Sequence, residues 1–328
     1  MKISFVEPHL RLFGGIRRII ELANRLSAMG HEVTIYHSDG SACEWMICKA
    51  GTKPAATLLR DKHDVLVYND PNPRDFVLVQ FARARLKVHY TLGLYAKHLL
   101  IGHDPRLFLP RNRKTFILKL MLQAPHLQLS NATWMREWLK ENMNVDTSLV
   151  IGGVNREMFL PVPVRKNPGE IRLLSSGDPR NNKGTDLVLQ AVQLAKQEEP
   201  AIVLDQYHGK ALPQARMAQV YSSADIFVDG QNSGGWNNPV AEAMACKVAV
   251  VCTRIGAVAD FAFDEETALV VPPNDPEAMA AAILRLARDP NLRESLRESA
   301  YCRISQFDWD KSAAEFAEIL ESAMAGRN

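Results

Sequence analysis

The chain has 328 residues, 47% hydrophobic and 23% charged, with 39 Lys+Arg against 37 Asp+Glu for a formal net charge of +2. That composition excludes a disordered or fibrous chain, and the length is about twice that of a domain of roughly 100–200 residues, so two domains are expected. The charge is unevenly spread: residues 1–166 carry 24 − 14 = +10 and residues 167–328 carry 15 − 23 = −8, an asymmetry that attracts anionic ligands or a membrane surface to the first part.

In chain order, residues 3–6 read as a short buried strand. Gly14-Gly15 closes the following loop, and Ile16, Ile19, Ile20, Ala23 and Leu26 recur at helical spacing up to Gly30, which has the character of a C′ residue. Residues 33–36 resume as a strand, giving a βαβ unit of a parallel sheet. Further strands are predicted at 65–68, 86–90 and 127–130. The stretch 149–170 gathers Gly152, Gly153, Pro161, Pro163, Pro168 and Gly169 and reads as the interdomain linker. Alternation then restarts, with strands at 171–175, 202–204, 226–228 and 248–251 and helices at 185–195 and from Pro239. Asp275-Pro276-Glu277 opens another helix with an N-cap, a proline at the first position and an acid in the first turn. The pattern predicts an α/β fold of two Rossmann-like parallel-sheet domains, 1–163 and 164–310, facing a central cleft. A last helix, about 311–328, is free to pack back on the first domain. Ligands of such sheets sit outside the carboxyl ends of the strands.

Three segments could carry chemistry there. Gly14-Gly15 precedes a helix N-terminus, where unpaired N–H groups favour an anion, although a tight turn explains the pair equally well. It lacks the spacing of a dinucleotide fingerprint, which demotes a nicotinamide enzyme. The polar loop Ser176-Gly177-Asp178-Pro179-Arg180-Asn181-Asn182-Lys183-Gly184 joins a strand to a helix, so Arg180 and Lys183 could neutralise a diphosphate or could simply be solvated loop cations. In Gly234-Gly235-Trp236-Asn237-Asn238-Pro239-Val240-Ala241-Glu242, a turn gives way to a helix. Glu242 near its start could accept two ribose hydroxyls or merely complement the helix N-terminus.

Taken together these segments resemble the family-four (group 1) retaining glycosyltransferases of the GT-B type. The likeness also runs through Gly30-His31-Glu32-Val33, Gly152-Gly153-Val154-Asn155, Lys183-Gly184, Ser223-Ala224-Asp225-Ile226-Phe227-Val228, Pro239 to Cys246 and Phe307-Asp308-Trp309. It implies a nucleotide sugar held mainly by the C-terminal domain, with the N-terminal domain on the acceptor side. Lys183 and Arg180 with Gly177 would bind the diphosphate, backbone groups of Gly235, Trp236, Asn237, Asn238, Pro239 and Val240 would contact phosphate and sugar, and Glu242 would hold the ribose. Gly14 and Gly15 would approach the phosphates from the other domain. The reaction implied is front-face sugar transfer with retained configuration, needing no metal and no cofactor. Departures are specific. The first of two glutamates usual in the family is Gly234 here, so Asp229 or Asn237 could substitute; the arginine usual after the loop glycine is Asp178; and the usual N-domain histidine aligns with Leu92, leaving His89 either as an acceptor-side candidate or as a structural residue within its strand. The missing glutamate keeps two alternatives open, a nucleotide-sugar binder without transferase activity and a GT-B sugar epimerase.

Other patterns are weaker. Asp308-Trp309-Asp310 looks like a D-x-D metal motif, but Asp310 reads more simply as the N-cap of the last helix. His98 and His103 lack a third metal ligand, and Asn131-Ala132-Thr133 is a sequon by pattern only. Trp134 and Trp138 fall on one helix face and read as a packing stripe. Arg106, Arg111, Arg113, Lys114 and Lys119, interleaved with apolar residues, form either a surface for anionic lipid or a lipid-linked acceptor, or a solvated helix with an apolar core side. Five cysteines without CxxC or zinc spacing suggest a reducing, cytoplasmic setting. Glu7 precludes a signal-peptide core, and no stretch nears the roughly 20 apolar residues that cross a bilayer. The expected partners are a nucleotide-sugar donor, a glycan or lipid-linked acceptor and a peripheral membrane surface, with no nucleic acid.

Overall fold

The computed structural model describes every residue except Pro71, Tyr95, Ala96, His103, Lys166, Ala211, Arg327 and Asn328. The chain divides into two compact units, Met1–Gly152 with Trp309–Asn328, and Gly153–Asp308. The division thus falls at Gly152/Gly153, earlier in the Gly/Pro-rich segment than the expected 163. On these units the charge split becomes milder, 23 − 17 = +6 and 16 − 20 = −4. The basic stretch 153–166 joins the second unit, and the acids of the last helix join the first.

Unit 1 contains β1 (Lys2–Val6), α1 (Gly14–Ala28), β2 (Glu32–His37), β3 (Gly51–Pro54), β4 (Lys62–Tyr68), α2 (Pro73–Phe81), β5 (Arg83–Thr91), α3 (Arg113–Gln123), β6 (Leu127–Ser130), α4 (Thr133–Met143) and β7 (Ser148–Leu149). The sheet is parallel, in the order β3-β2-β1-β4-β5-β6-β7. Its central strands are buried on both faces, as helices on either side require. The Ile16, Ile19, Ile20, Ala23 and Leu26 stripe of α1 enters the same core as β1, β4 and β5. Gly30 follows that helix at φ +88°, a conformation that costs a residue with a Cβ. The Trp134 and Trp138 face of α4 packs with Leu118, Leu122 and Met135 as a core-facing stripe.

Unit 2 contains β8 (Ile171–Ser175), α5 (Thr185–Glu198), β9 (Ile202–Gln206), α6 (Met217–Ser222), β10 (Ile226–Asp229), α7 (Asn238–Ala245), β11 (Ala249–Thr253), β12 (Leu269–Val271), α8 (Pro276–Arg288) and α9 (Pro290–Ile304). The parallel order β12-β11-β10-β8-β9 reverses direction between β8 and β10. The loops leaving the carboxyl ends of these two neighbouring strands therefore diverge, which is where open α/β sheets admit ligands. Asp275 caps α8, its side chain accepting the Ala278 N–H at 2.9 Å.

The final helix, α10 (Trp309–Ala325), belongs to unit 1. Phe316 stacks on Phe5 at 6.2 Å and lies 6.1 Å from the Tyr90 ring, and the Ser312 hydroxyl donates to the Ile151 carbonyl at 2.7 Å. Because α10 already begins at Trp309, Asp310 is not its N-cap. It sits in the first turn and pairs with Arg25 at 3.4 Å, where an acid still complements the helix dipole. All five cysteines are free thiols. Among the described residues no helix is long and apolar enough to cross a membrane.

Candidate functional site

Most of the predicted site residues come together at the carboxyl edge of the unit 2 sheet. The loop after β8 turns at Gly177, φ +69°, where a Cβ would stand 2.8 Å from the Gln206 side chain. Asp178 then accepts from Arg180 three times, Nε to both carboxylate oxygens at 3.0 Å and Nη2 at 2.5 Å. Burial of Asp178 disfavours its charge, but the Arg180 guanidinium overrides this and holds the carboxyl below its usual range. Arg180 is thus a pre-paired cation, with a side chain still 54% exposed.

Lys183 is set differently. It is half-buried, and its ammonium donates to Gln231 Oε1 at 2.7 Å. Burial pushes it below the ordinary lysine value; Asp229 opposes that and Arg180 adds to it. The helix behind it, α5, has Gly184 at its N-cap position and therefore no side-chain cap there. An ammonium beside an uncapped helix N-terminus can attract a polyanion, an effect that Asp186 in the first turn of α5 partly offsets.

The loop after β10 locks onto this one through backbone. Gly184, φ +61°, lies so close to Gly230 that a Cβ would stand 1.8 Å from the Gly230 carbonyl oxygen, and the converse Cβ would meet the Gly184 oxygen at 2.4 Å. The Asn232 N–H donates to the Asn182 carbonyl at 3.1 Å, and Asn182 reaches the Ser233 carbonyl at 3.3 Å.

Gln231 is the residue that sequence reasoning missed. Its carboxamide oxygen holds Lys183, and its Nε2 lies where a Cβ at Gly234 would come within 2.1 Å. The space beside position 234 is thus filled by Gln231. The available signal was its place two residues beyond Asp229, at the end of a strand flanking the reversal in strand order.

Several assignments are corrected. Asn237 and Asp229 are not available as sugar-reading substitutes for the absent glutamate. They are buried against each other, Asn237 Nδ2 donating to Asp229 Oδ1 at 2.9 Å, while Asn237 Oδ1 caps α7 by accepting the Val240 N–H at 3.3 Å. The same cap occupies the Val240 amide, and Pro239 has none, so the N-terminus of α7 offers fewer donors than the loop composition suggested. The Trp236 ring packs 4.6 Å from Phe261 and 5.5 Å from Phe307, so only its backbone can face a ligand. Gly235 is buried, and Asn238 is half-buried at the first turn of α7.

Glu242, one turn into α7, is 7% exposed, and its Oε2 accepts from the Tyr221 hydroxyl at 2.9 Å. Tyr221 in turn lies 3.2 Å from the Tyr207 hydroxyl. The carboxylate is therefore held in one orientation from behind. Among the described residues no group of three or more His, Cys, Asp or Glu side chains could hold a metal ion.

Gly14, Gly15 and His89 lie in unit 1. Gly14 opens α1 and is exposed, whereas a Cβ on Gly15 would only touch Leu92 at 3.5 Å. His89 is 0% exposed, bonded through Nδ1 to Gln128 Oε1 at 2.8 Å and stacked on Tyr68 at 5.3 Å. It cannot reach an acceptor, because it sits inside the sheet. Burial depresses it to about 4. Between that value and the ordinary histidine value the unfolded chain binds a proton that the folded chain refuses, so stability falls as pH is lowered through this window, by up to about 3 kcal/mol. Urea unfolding from pH 7 to 4 should show this slope in the native chain and a flatter one in His89→Gln; identical slopes would contradict it. Asn131 of the sequon is buried and donates to the Leu92 carbonyl at 3.3 Å, which leaves no room for a glycan. His98 is exposed, and His103 lies outside the described residues.

A profile described as glycosyl transferases group 1 matches residues 205–289, from β9 through the site loop and α7 to α8. Residues 205–289 thus resemble the group 1 glycosyl transferases. The chain is also 30% identical over 116 residues to a D-inositol 3-phosphate glycosyltransferase of Acidothermus cellulolyticus, a match covering 35% of this chain and 26% of the relative. This chain thus matches about a quarter of the length of that curated relative. Likeness of fold extends much further. A sucrose-phosphate synthase from Thermosynechococcus elongatus superposes with a TM-score of 0.77 over 99% of both chains at 17% identity, and Anabaena HepE in complex with UDP-glucose with 0.75 over 98% and 100% at 16%. The chain accordingly has the GT-B fold of two parallel-sheet α/β units.

Proposed function

We propose that this chain transfers a glycosyl group from a nucleoside diphosphate sugar to an acceptor hydroxyl with retention of configuration, and that it needs no metal or other cofactor to do so. The observation that carries this reading is the pairing of Lys183 with the uncapped N-terminus of α5 at the strand-order reversal of unit 2. Both supply positive potential where a diphosphate would leave. Arg180, once its fork to Asp178 opens, adds a second cation; Gly177 lets the loop approach; Glu242, held by Tyr221, accepts ribose hydroxyls. The backbone near Gly235, Trp236 and Asn238 faces the sugar.

In the step proposed, an acceptor oxygen forms its bond to the anomeric carbon on the face from which the phosphate departs. The carbon–oxygen bond to the phosphate breaks, and the acceptor proton passes to a phosphate oxygen. No protein nucleophile is required, and the protein's part is to stabilise charge on the departing diphosphate. The UDP-glucose complex of HepE supports a nucleotide-sugar donor, and the name of the inositol phosphate relative supports glycosyl transfer.

A screen of UDP-, GDP-, ADP- and dTDP-sugars tests the reading. At about a hundredfold excess over its dissociation constant the true donor should stabilise the chain by about 2.7 kcal/mol against heat and release nucleotide when an acceptor glycan or lipid-linked glycan is added. Thermal protection without any turnover would favour a binding protein, a product with its sugar inverted at one carbon and no acceptor consumed would favour an epimerase, and protection by none would overturn the site.

A further inference from the structure

Residues 97–119 of unit 1 carry six cations, Lys97, Arg106, Arg111, Arg113, Lys114 and Lys119, against one acid, Asp104. That acid is fully engaged. It caps the turn Pro105–Phe108 by accepting the Arg106 N–H at 2.9 Å and grips the Arg106 guanidinium at 2.6 Å. The apolar residues between the cations divide. Leu107, Leu118 and Leu122 enter the core, but Phe108, Ile101 and Leu109 remain 73%, 46% and 41% exposed.

Phe108 and the chain next to Ile101 lie against α3. The Phe108 ring lies 5.4 Å from Phe116, and the Lys119 ammonium donates to the Gly102 carbonyl beside Ile101. Phe116 and Lys119, three positions apart, share a helix face. Next to them Arg111, Arg113 and Lys114 are all exposed around the N-terminus of α3, which has neither an acid in its first turn nor a side-chain cap. Cations at that end oppose the helix dipole and repel one another. Asp70 offsets part of the Lys114 charge, but among the described residues Arg111 and Arg113 have no ion pair, and a local rule broken with so little compensation marks a surface built for something outside the chain.

We propose that this surface docks unit 1 on an anionic lipid bilayer. Phe108, Leu109 and Ile101 enter the boundary between headgroups and acyl chains, and Arg111, Arg113 and Lys114 face lipid phosphates. Projecting apolar side chains interleaved with cations match a bilayer interface, which offers both phases within a few ångströms. A nucleic acid would meet the cations but leave the apolar side chains in water. The segment leaves the carboxyl end of β5, so docking places that edge of the unit 1 sheet beside the membrane.

Flotation with vesicles of phosphatidylcholine alone or mixed with phosphatidylglycerol tests this without reference to catalysis. The native chain should partition at least about tenfold more onto the anionic vesicles, and about 0.5 M salt should weaken this. Phe108→Ser and, separately, Arg111→Gln with Arg113→Gln and Lys114→Gln should each lower anionic-vesicle binding about tenfold while the melting temperature stays put, since all four side chains are exposed. Equal binding to both vesicles, undiminished binding by these variants, or retention on duplex DNA with no vesicle binding would each overturn the proposal.

Discussion

Lys183→Ala should lower sugar transfer by about 10²–10³-fold, chiefly in kcat, with the melting temperature little changed. The fall follows from removing a donor aimed at charge that develops only as the diphosphate leaves. The fold should survive, because Asp229, the nearest opposite charge, keeps its bonds to Asn237 and to the Gln231 N–H. Gln231→Ala should give an intermediate loss, since it leaves the ammonium in place but without the bond that aims it. Arg180 is already compensated by Asp178 and half in water, so its replacement should cost less than that of Lys183. Steady-state kinetics on the donor found by the screen, with circular dichroism to verify folding, decides this. A Lys183→Ala chain with native turnover would remove the residue from the site.

The largest effect on stability should come from a single methyl group. Gly184→Ala puts a Cβ 1.8 Å from the Gly230 oxygen and 2.4 Å from its carbonyl carbon, at a φ of +61°. Neither neighbour is a side chain that can swing aside, so the loops after β8 and β10 must separate. Left-handed strain alone costs on the order of 1 kcal/mol, and backbone overlap brings the total to at least about 3 kcal/mol. For a unit of this size that lowers the melting temperature by roughly 10 °C. Gly177→Ala is the useful contrast, because its Cβ would meet only the Gln206 side chain. A Gly184→Ala chain melting within about 2 °C of native would show that the loops yield far more easily than their contact implies.

Much of the architecture was legible because buried parallel strands are short apolar runs and their helices carry a 3.6-residue stripe. Residues 127–130 and 171–175 coincide with β6 and β8, and Asp275-Pro276 marks the start of α8. What escaped lacks that signal. β3 is Gly-Thr-Lys-Pro, an edge strand with neither apolar alternation nor a core face, and β7 is two residues long. At the site, residue types announced chemistry but not who holds whom. The sequence offered Asn237 and Asp229 as polar groups near a ligand, whereas they spend their hydrogen bonds on each other and on the cap of α7. Gln231 carried no motif, and only three-dimensional proximity ties it to Lys183 across 48 positions. His89 is the reverse case, a suggestive residue type whose strand position makes it core.

The return of α10 to unit 1 has a consequence for synthesis. Trp309, Phe316 and Leu320 complete the hydrophobic cluster built by Phe5, Ile19 and Tyr90, yet they leave the ribosome only after all of unit 2. Unit 2, with every strand and helix encoded between residues 153 and 308, can close while the chain is still tethered. The unit begun before it must hold an open apolar seam along α1 and β5 until α10 has emerged, reversing the usual order in which domains finish folding on the ribosome.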